Sequence, residues 1–256
     1  MSRMPVVFVG HGSPMNAIEE NGYTRTWSEL SKRIPRPRAI LSISAHWFTQ
    51  GSKIRNEEQP KTIYDMYGFP KELYEVQYNA PGSPSLAKTV KELISRETEY
   101  DNSWGIDHGT WSVLVHMYPE RDIPVIQISV DGYAPPEAHY QMGKELRALR
   151  EEGVLIFGSG NIVHNLRLVN WSMGNEGFNW ASQFDDYVYD NIIHGNHDKI
   201  LNYRELGDVA KLAVPTTDHF YPLLYVLGAT VEEDRISSFN QSCELGSLTM
   251  TGYLFE

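Results

Sequence analysis

Two regimes of apolar patterning alternate along this chain. Short, continuous apolar runs stop abruptly at glycine or polar residues: Pro5 to Val9, Ala39 to Ala45, Ile123 to Val130 and Val154 to Phe157. A run without alternation is the pattern of a strand buried on both faces. Between these runs, apolar residues recur every three or four positions, the spacing of a helix with one buried face. Trp27, Leu30 and Ile34 predict a helix over about 22–34, closed by the PRP stretch at 35–37. Ser83 before Pro84 reads as an N-cap with proline in the first turn. That helix is expected to reach about Glu97 with Leu86, Val90, Leu93 and Ile94 inward. Met142, Leu146 and Leu149 predict a helix from Pro136 to about Glu151. Phe184, Val188, Ile192 and Ile193 predict a long one from Ala181 to Ile200, and Tyr221 to Leu227 another. Two short strands are expected near Ile236 and Tyr253.

Residues 55–82 fit neither regime. They are polar and aromatic without a period, and an aperiodic segment of that length is usually functional. Tyr64, Tyr67 and Phe69 make it a candidate lid. Strands alternating with helices predict an α/β fold: a single domain over residues 1–256, with a central mixed, largely parallel sheet flanked by helices. No shift in composition marks a linker.

Composition narrows the function classes. With 22 Lys and Arg against 33 Asp and Glu, the net charge is −11. That argues against nucleic acid and anionic membranes, because phosphate surfaces reward basic proteins. The single cysteine, Cys243, excludes an internal disulfide framework and fits a cytoplasmic location. Apolar stretches are too short for a transmembrane span, and the one near the first residues is too short for a secretory signal.

The nine histidines carry the candidate chemistry. His11 follows the first strand, His46 the second, and His164 lies a few residues past the strand ending in GSG. Ligands of open α/β sheets bind beyond the carboxyl ends of strands, so these three imidazoles are expected to converge at one crevice. Neutral imidazole is a common ligand for zinc and suits iron. His219, beside Asp218, is either a further ligand with an orienting carboxylate or an incidental neighbour of a helix cap. His108, in WGIDHGTW, is either an acid–base group or a packed turn residue. His116, His139, His194 and His197 fall in helical stretches and read as structural. The GSG at 158–160 lacks the spacing of nucleotide-binding loops. Ser13 is not in a GxSxG elbow, and Cys243 has no activating neighbour.

Five blocks occur in order: GHGSP at 10–14, SAHW at 44–47, DHGTW at 107–111, GSGNIVHN at 158–165 and TTDHFYPL at 216–223. With them the chain resembles the class III extradiol ring-cleaving dioxygenases, in the DOPA 4,5-dioxygenase-like branch. The resemblance implies a single divalent metal held by His11, His46 and His219. It implies His164 as the acid–base residue, also within reach of the metal, and His108 as a second histidine facing the substrate. Ser13, Trp47 and Arg167 are the candidate substrate-binding residues. Arg167 is the cation nearest the blocks and a candidate clamp for a substrate carboxylate. The implied reaction joins O2 to a catechol beside its diol and yields a muconic semialdehyde-type product. Fe(II) is the expected working ion, with Zn(II) expected in protein as purified. Three neutral imidazoles also match a zinc hydrolase, so the alternatives are zinc-dependent hydrolysis or a non-catalytic zinc site. The expected partners are a small catechol and O2, in a monomer or small homo-oligomer.

Overall fold

The continuous apolar runs pair with one another at the centre of an eight-stranded sheet. The computed structural model describes residues 3–256. In chain order it contains β1 (Val6–Gly10), α1 (Gly22–Arg33), β2 (Ala39–Thr49), β3 (Ser52–Ile54), α2 (Pro84–Leu93), β4 (Thr98–Tyr100) and α3 (His108–Met117). There follow β5 (Val125–Asp131), α4 (Pro136–Leu146), β6 (Val154–Gly160), α5 (Asn179–Ile193), α6 (His197–Leu201), α7 (Asp208–Ala213) and α8 (Tyr221–Ala229). The chain closes with β7 (Ile236–Phe239), β8 (Cys243–Glu244), β9 (Leu248–Thr249) and β10 (Gly252–Phe255).

The strands lie in the order β4-β3-β5-β2-β6-β1-β10-β7. The inner four, β5, β2, β6 and β1, are mutually parallel. Strand β3 runs antiparallel to β5, and β10 antiparallel to β1. The sheet is therefore mixed at its edges and parallel at its centre. Alternate residues of one strand feed two cores. Val6 and Phe8 of β1 face one side with α2, α4, α5 and α8, while Val7 and Val9 face the other with α1 and α3. Among the described residues, no helix is long and apolar enough to cross a membrane.

Several boundaries differ from the sequence expectation. Strand β2 continues through His46 to Thr49, with a register irregularity between Ile43 and Phe48. The helix from Pro84 stops at Leu93, because Ile94 takes an extended backbone. The helix from Pro136 tightens into a 3-10 helix at Arg147. The helix expected over 181–200 breaks after Ile193, where Gly195 takes a left-handed backbone, and Ile193 is 40% exposed rather than inward. Helix α3 has nearly every residue from 108 to 114 buried, so it shows no amphipathic stripe.

Candidate metal centre

The carboxyl ends of β1, β2 and β6 deliver the site. His11 is the first residue past β1, and its N–H donates to Gly160 O at 3.0 Å. His46 lies near the end of β2. His219 arrives from across the sheet, in the loop before α8. Its carbonyl accepts from Asn161 N at 3.0 Å. A Cβ on Gly160 would sit 2.1 Å from that carbonyl oxygen, so only glycine lets the loop lie against β6 here.

His11, His46 and His219 each bring one ligand atom to within 4.8 Å of the others. His11 Nε2 and His46 Nε2 are 3.1 Å apart. In each ring the other nitrogen lies beside an oxygen. His11 Nδ1 is 3.0 Å from Ser159 Oγ, whose own proton goes to Gly109 O. Ser159 must therefore accept, which places the His11 proton on Nδ1. His219 Nδ1 is 2.6 Å from Asp218 Oδ2, and His46 Nδ1 is 3.1 Å from Asp65 Oδ2. His11 and His219 thus turn an unprotonated Nε2 inward, the tautomer that a metal-binding histidine needs. His46, whose Nε2 is hydrogen-bonded to that of His11, would carry its proton on Nδ1, beside Asp65, to do the same.

Burial enforces the neutral form. It pushes the pKa of His11 and of His219 well below the ordinary value, and the neighbouring imidazoles add to the effect. His46 falls to about 3, again mainly by burial and then by His108, against the opposing pull of Asp65. These side chains would not have to lose protons to bind a cation at neutral pH. The donor set fits one divalent metal ion.

Two further histidines complete the wall. His108 is the first residue of α3, not a loop residue as expected. Its capping neighbour Asp107 is fully buried, accepts from Ser44, Trp104 and Gln127, and has its pKa raised by that burial. The His108 ring centroid lies 3.8 Å from that of His46. The His164 ring is stacked on His219 at 3.4 Å and 8°. Its pKa falls to about 4, chiefly through burial, with Asp218 opposing. His164 groups with Asp218 and His219 but not with His11 and His46. Its ring lies flat on His219, beside the three-histidine group. Among the described residues, no protein group hydrogen-bonds the His164 ring.

A cavity of about 530 Å³ opens above these rings. Ser13 and Arg167 line it, together with Met66, Phe69, Leu166, Thr216 and Leu248. Arg167 is its one Lys or Arg and makes no ion pair among the described residues. Trp47 does not line it. Successive side chains of a strand point to opposite faces, so with His46 facing the cavity Trp47 is turned away and is buried. Tyr67 also fails as a lid residue, being 92% exposed. The 55–82 segment does reach the cavity, through Met66 and Phe69, while Asp65 sits behind it against the rings of His108 and His46. Asp65 was not foreseen: burial opposes its charge, but the bonds and charges of His108 and His46 prevail and lower its pKa. The only sequence signal for it was the unusual length of the segment. Ser159 was equally unforeseen, hidden inside GSG. The remaining histidines stay outside the cavity. His116 bonds Asn16 O, His197 bonds Tyr140, and His194 is an exposed helix end.

The family model for the catalytic LigB subunit of aromatic ring-opening dioxygenase matches residues 2–255. A protein of Escherichia coli K12 named 4,5-DOPA dioxygenase extradiol is 45% identical, over 97% of this chain and 93% of its own. The Beta vulgaris protein of the same name is 36% identical, over 97% of this chain and 95% of its own. A crystal structure of an uncharacterized Escherichia coli K12 protein superposes with a TM-score of 0.87 at 41% identity, covering 99% of this chain and all of the other.

Proposed function

Because this chain belongs to the LigB family of aromatic ring-opening dioxygenases, we propose that the cavity holds one divalent metal on His11, His46 and His219 and cleaves a catechol beside its diol. The activity is that of an extradiol ring-cleaving dioxygenase acting on an aromatic small molecule and O2. The observation that carries the residue assignment is the convergence of three imidazoles, each with Nδ1 beside an oxygen. When bound, the metal supplies a Lewis-acid centre where diol and O2 meet and through which electron density passes from ring to oxygen. Fe(II) is the working ion on this reading. Zn(II) binds such sites more tightly and competes for them.

The protein's own groups do the rest. Met66, Phe69, Leu166 and Leu248 offer apolar surface to an aromatic ring. His164, neutral and hydrogen-bonded by no described protein group, takes a proton from a catechol hydroxyl through its unprotonated nitrogen and returns it when the oxygen–oxygen bond breaks. Such transfers contribute roughly 10²–10⁴-fold to rate. His108 keeps Nε2 toward the cavity, because Asp65 holds its Nδ1 at 2.9 Å, and it accepts a hydrogen bond from the substrate. Ser13 and Arg167 contact the substrate's polar substituents, and a catechol of the DOPA type would place its carboxylate against Arg167. Residues 1–256 act as one catalytic unit.

Oxygen uptake tests this. Protein stripped of metal, reloaded anaerobically with Fe(II) and given catechols including DOPA is expected to consume O2 and release a yellow ring-opened product, while the Zn(II)-loaded control does neither. Absence of uptake in protein shown to hold Fe(II) overturns the assignment.

A further inference from the structure

The long segment 55–82 is pinned to the body at its two ends. Ile63 N donates to Ile106 O at 2.9 Å, and Trp111 Nε1 to Ile63 O at 2.9 Å. At the far end, Tyr78 OH donates to Tyr118 O at 3.0 Å. Between Tyr64 and Gln77, every hydrogen bond from the segment to the rest of the described protein ends on Asp65. That carboxylate takes two hydrogen bonds from His108 and lies against the His46 ring. Oδ1 accepts the His108 main-chain N–H at 2.9 Å, and Oδ2 lies 2.9 Å from His108 Nδ1 and 3.1 Å from His46 Nδ1. Its side chain is 8% exposed. The next residue is Met66 and the fourth on is Phe69, both on the cavity wall.

One carboxylate therefore performs two tasks. It anchors the stretch that covers the cavity mouth, and it fixes the orientation of two rings beneath. Lifting the stretch would leave the His108 Nδ1–H and a helix N-terminal N–H without an acceptor and would remove the carboxylate that lies 3.1 Å from His46 Nδ1, so that both rings would be freer to turn. We propose that Asp65 is a positioning residue that couples seating of the 64–70 stretch to metal binding at His46. The proposal rests on the reading of His46 as a ligand. Coupling of this kind is reciprocal: a metal that holds His46 with Nε2 inward must also favour the seated stretch.

The test compares metal-free wild type, Asp65→Asn, Asp65→Ala and, as a control in the same stretch, Tyr67→Ala. Each is titrated anaerobically with Co(II), read by its visible absorption, and hydrogen exchange of residues 62–69 is followed with and without metal. In wild type and Tyr67→Ala, Co(II) is expected to slow exchange at 62–69. In Asp65→Ala that slowing is expected to vanish, with Co(II) bound roughly 10- to 100-fold more weakly, the usual cost of losing a group that orients a ligand, and with a changed absorption spectrum. Asp65→Asn, which keeps one carbonyl acceptor, is expected to fall between. Faster exchange in Asp65→Ala with affinity and spectrum unchanged would mean a merely structural role and overturns the proposal. Should the alanine variant fail to fold, the isosteric asparagine decides: wild-type affinity, spectrum and metal-dependent protection in Asp65→Asn overturn it too. If wild type binds no Co(II), the metal reading of the cavity fails first, an outcome separate from Co(II) binding that ignores Asp65.

Discussion

Helix α8 separates two buried histidine environments that differ in one respect. On its N-terminal side, His219 meets His11 and His46, and each ring has an oxygen on Nδ1. On its flank, His139 of α4 is fully buried between Tyr221, at 4.4 Å edge-on, and Tyr225. Among the described residues, neither His139 nitrogen has a hydrogen-bond partner. Burial lowers its pKa to about 4, much as it does for the cavity histidines. Burial and neutrality are therefore common to both places. Of the two, only the first has an oxygen beside each Nδ1, and on the proposed reading that is what distinguishes a ligand from a filler of the core.

The largest effect expected from breaking this contrast comes from His219→Ala. It should abolish metal binding and oxygen uptake, exceeding the roughly 100-fold that loss of an orienting partner costs, while circular dichroism stays native. Asp218→Asn is a smaller intervention, since the ring remains but its anionic acceptor is gone. Metal affinity is expected to fall about 10- to 100-fold, as measured by competition with a chelator. The smallest change is His139→Leu. A buried polar group without a partner costs roughly 1–3 kcal/mol, so the apolar replacement is expected to leave oxygen uptake unchanged and to raise the urea midpoint slightly at neutral pH. The pH dependence sharpens the point. His139 binds its proton more readily unfolded than folded, so the stability tied to its neutral form is complete above its ordinary 6.5 and is lost as pH falls toward about 4. His139→Leu should flatten part of that slope. The cavity histidines of the metal-free protein, lowered in the same direction, contribute to the rest of it.

What the sequence made legible follows the same line. The inner strands were readable because a strand buried on both faces leaves an unbroken apolar run, and strand ends then pointed to His11 and His46. His219 needed the resemblance, since a lone histidine before a helix has several readings. Helix α3 lacked a stripe because it is buried on all sides, and β3 and β4, three residues each, leave no period to detect. The orienting groups were the least legible. Ser159 lies inside a strand end and Asp65 in an aperiodic stretch, and each acts on a partner far away in the chain. Trp47 was misplaced because adjacency to His46 in sequence means opposite faces in a strand.

The route by which His219 reaches β6 has a consequence for unfolding. An ion gripped by residues 11, 46 and 219 would staple the first strand to the loop before the last long helix, enclosing most of the chain in a closed loop. A disulfide constrains the unfolded chain; such a clasp would instead stabilise the folded state by binding it alone, and it can be withdrawn by a chelator. Removing the ion would loosen the entire molecule as well as silence it.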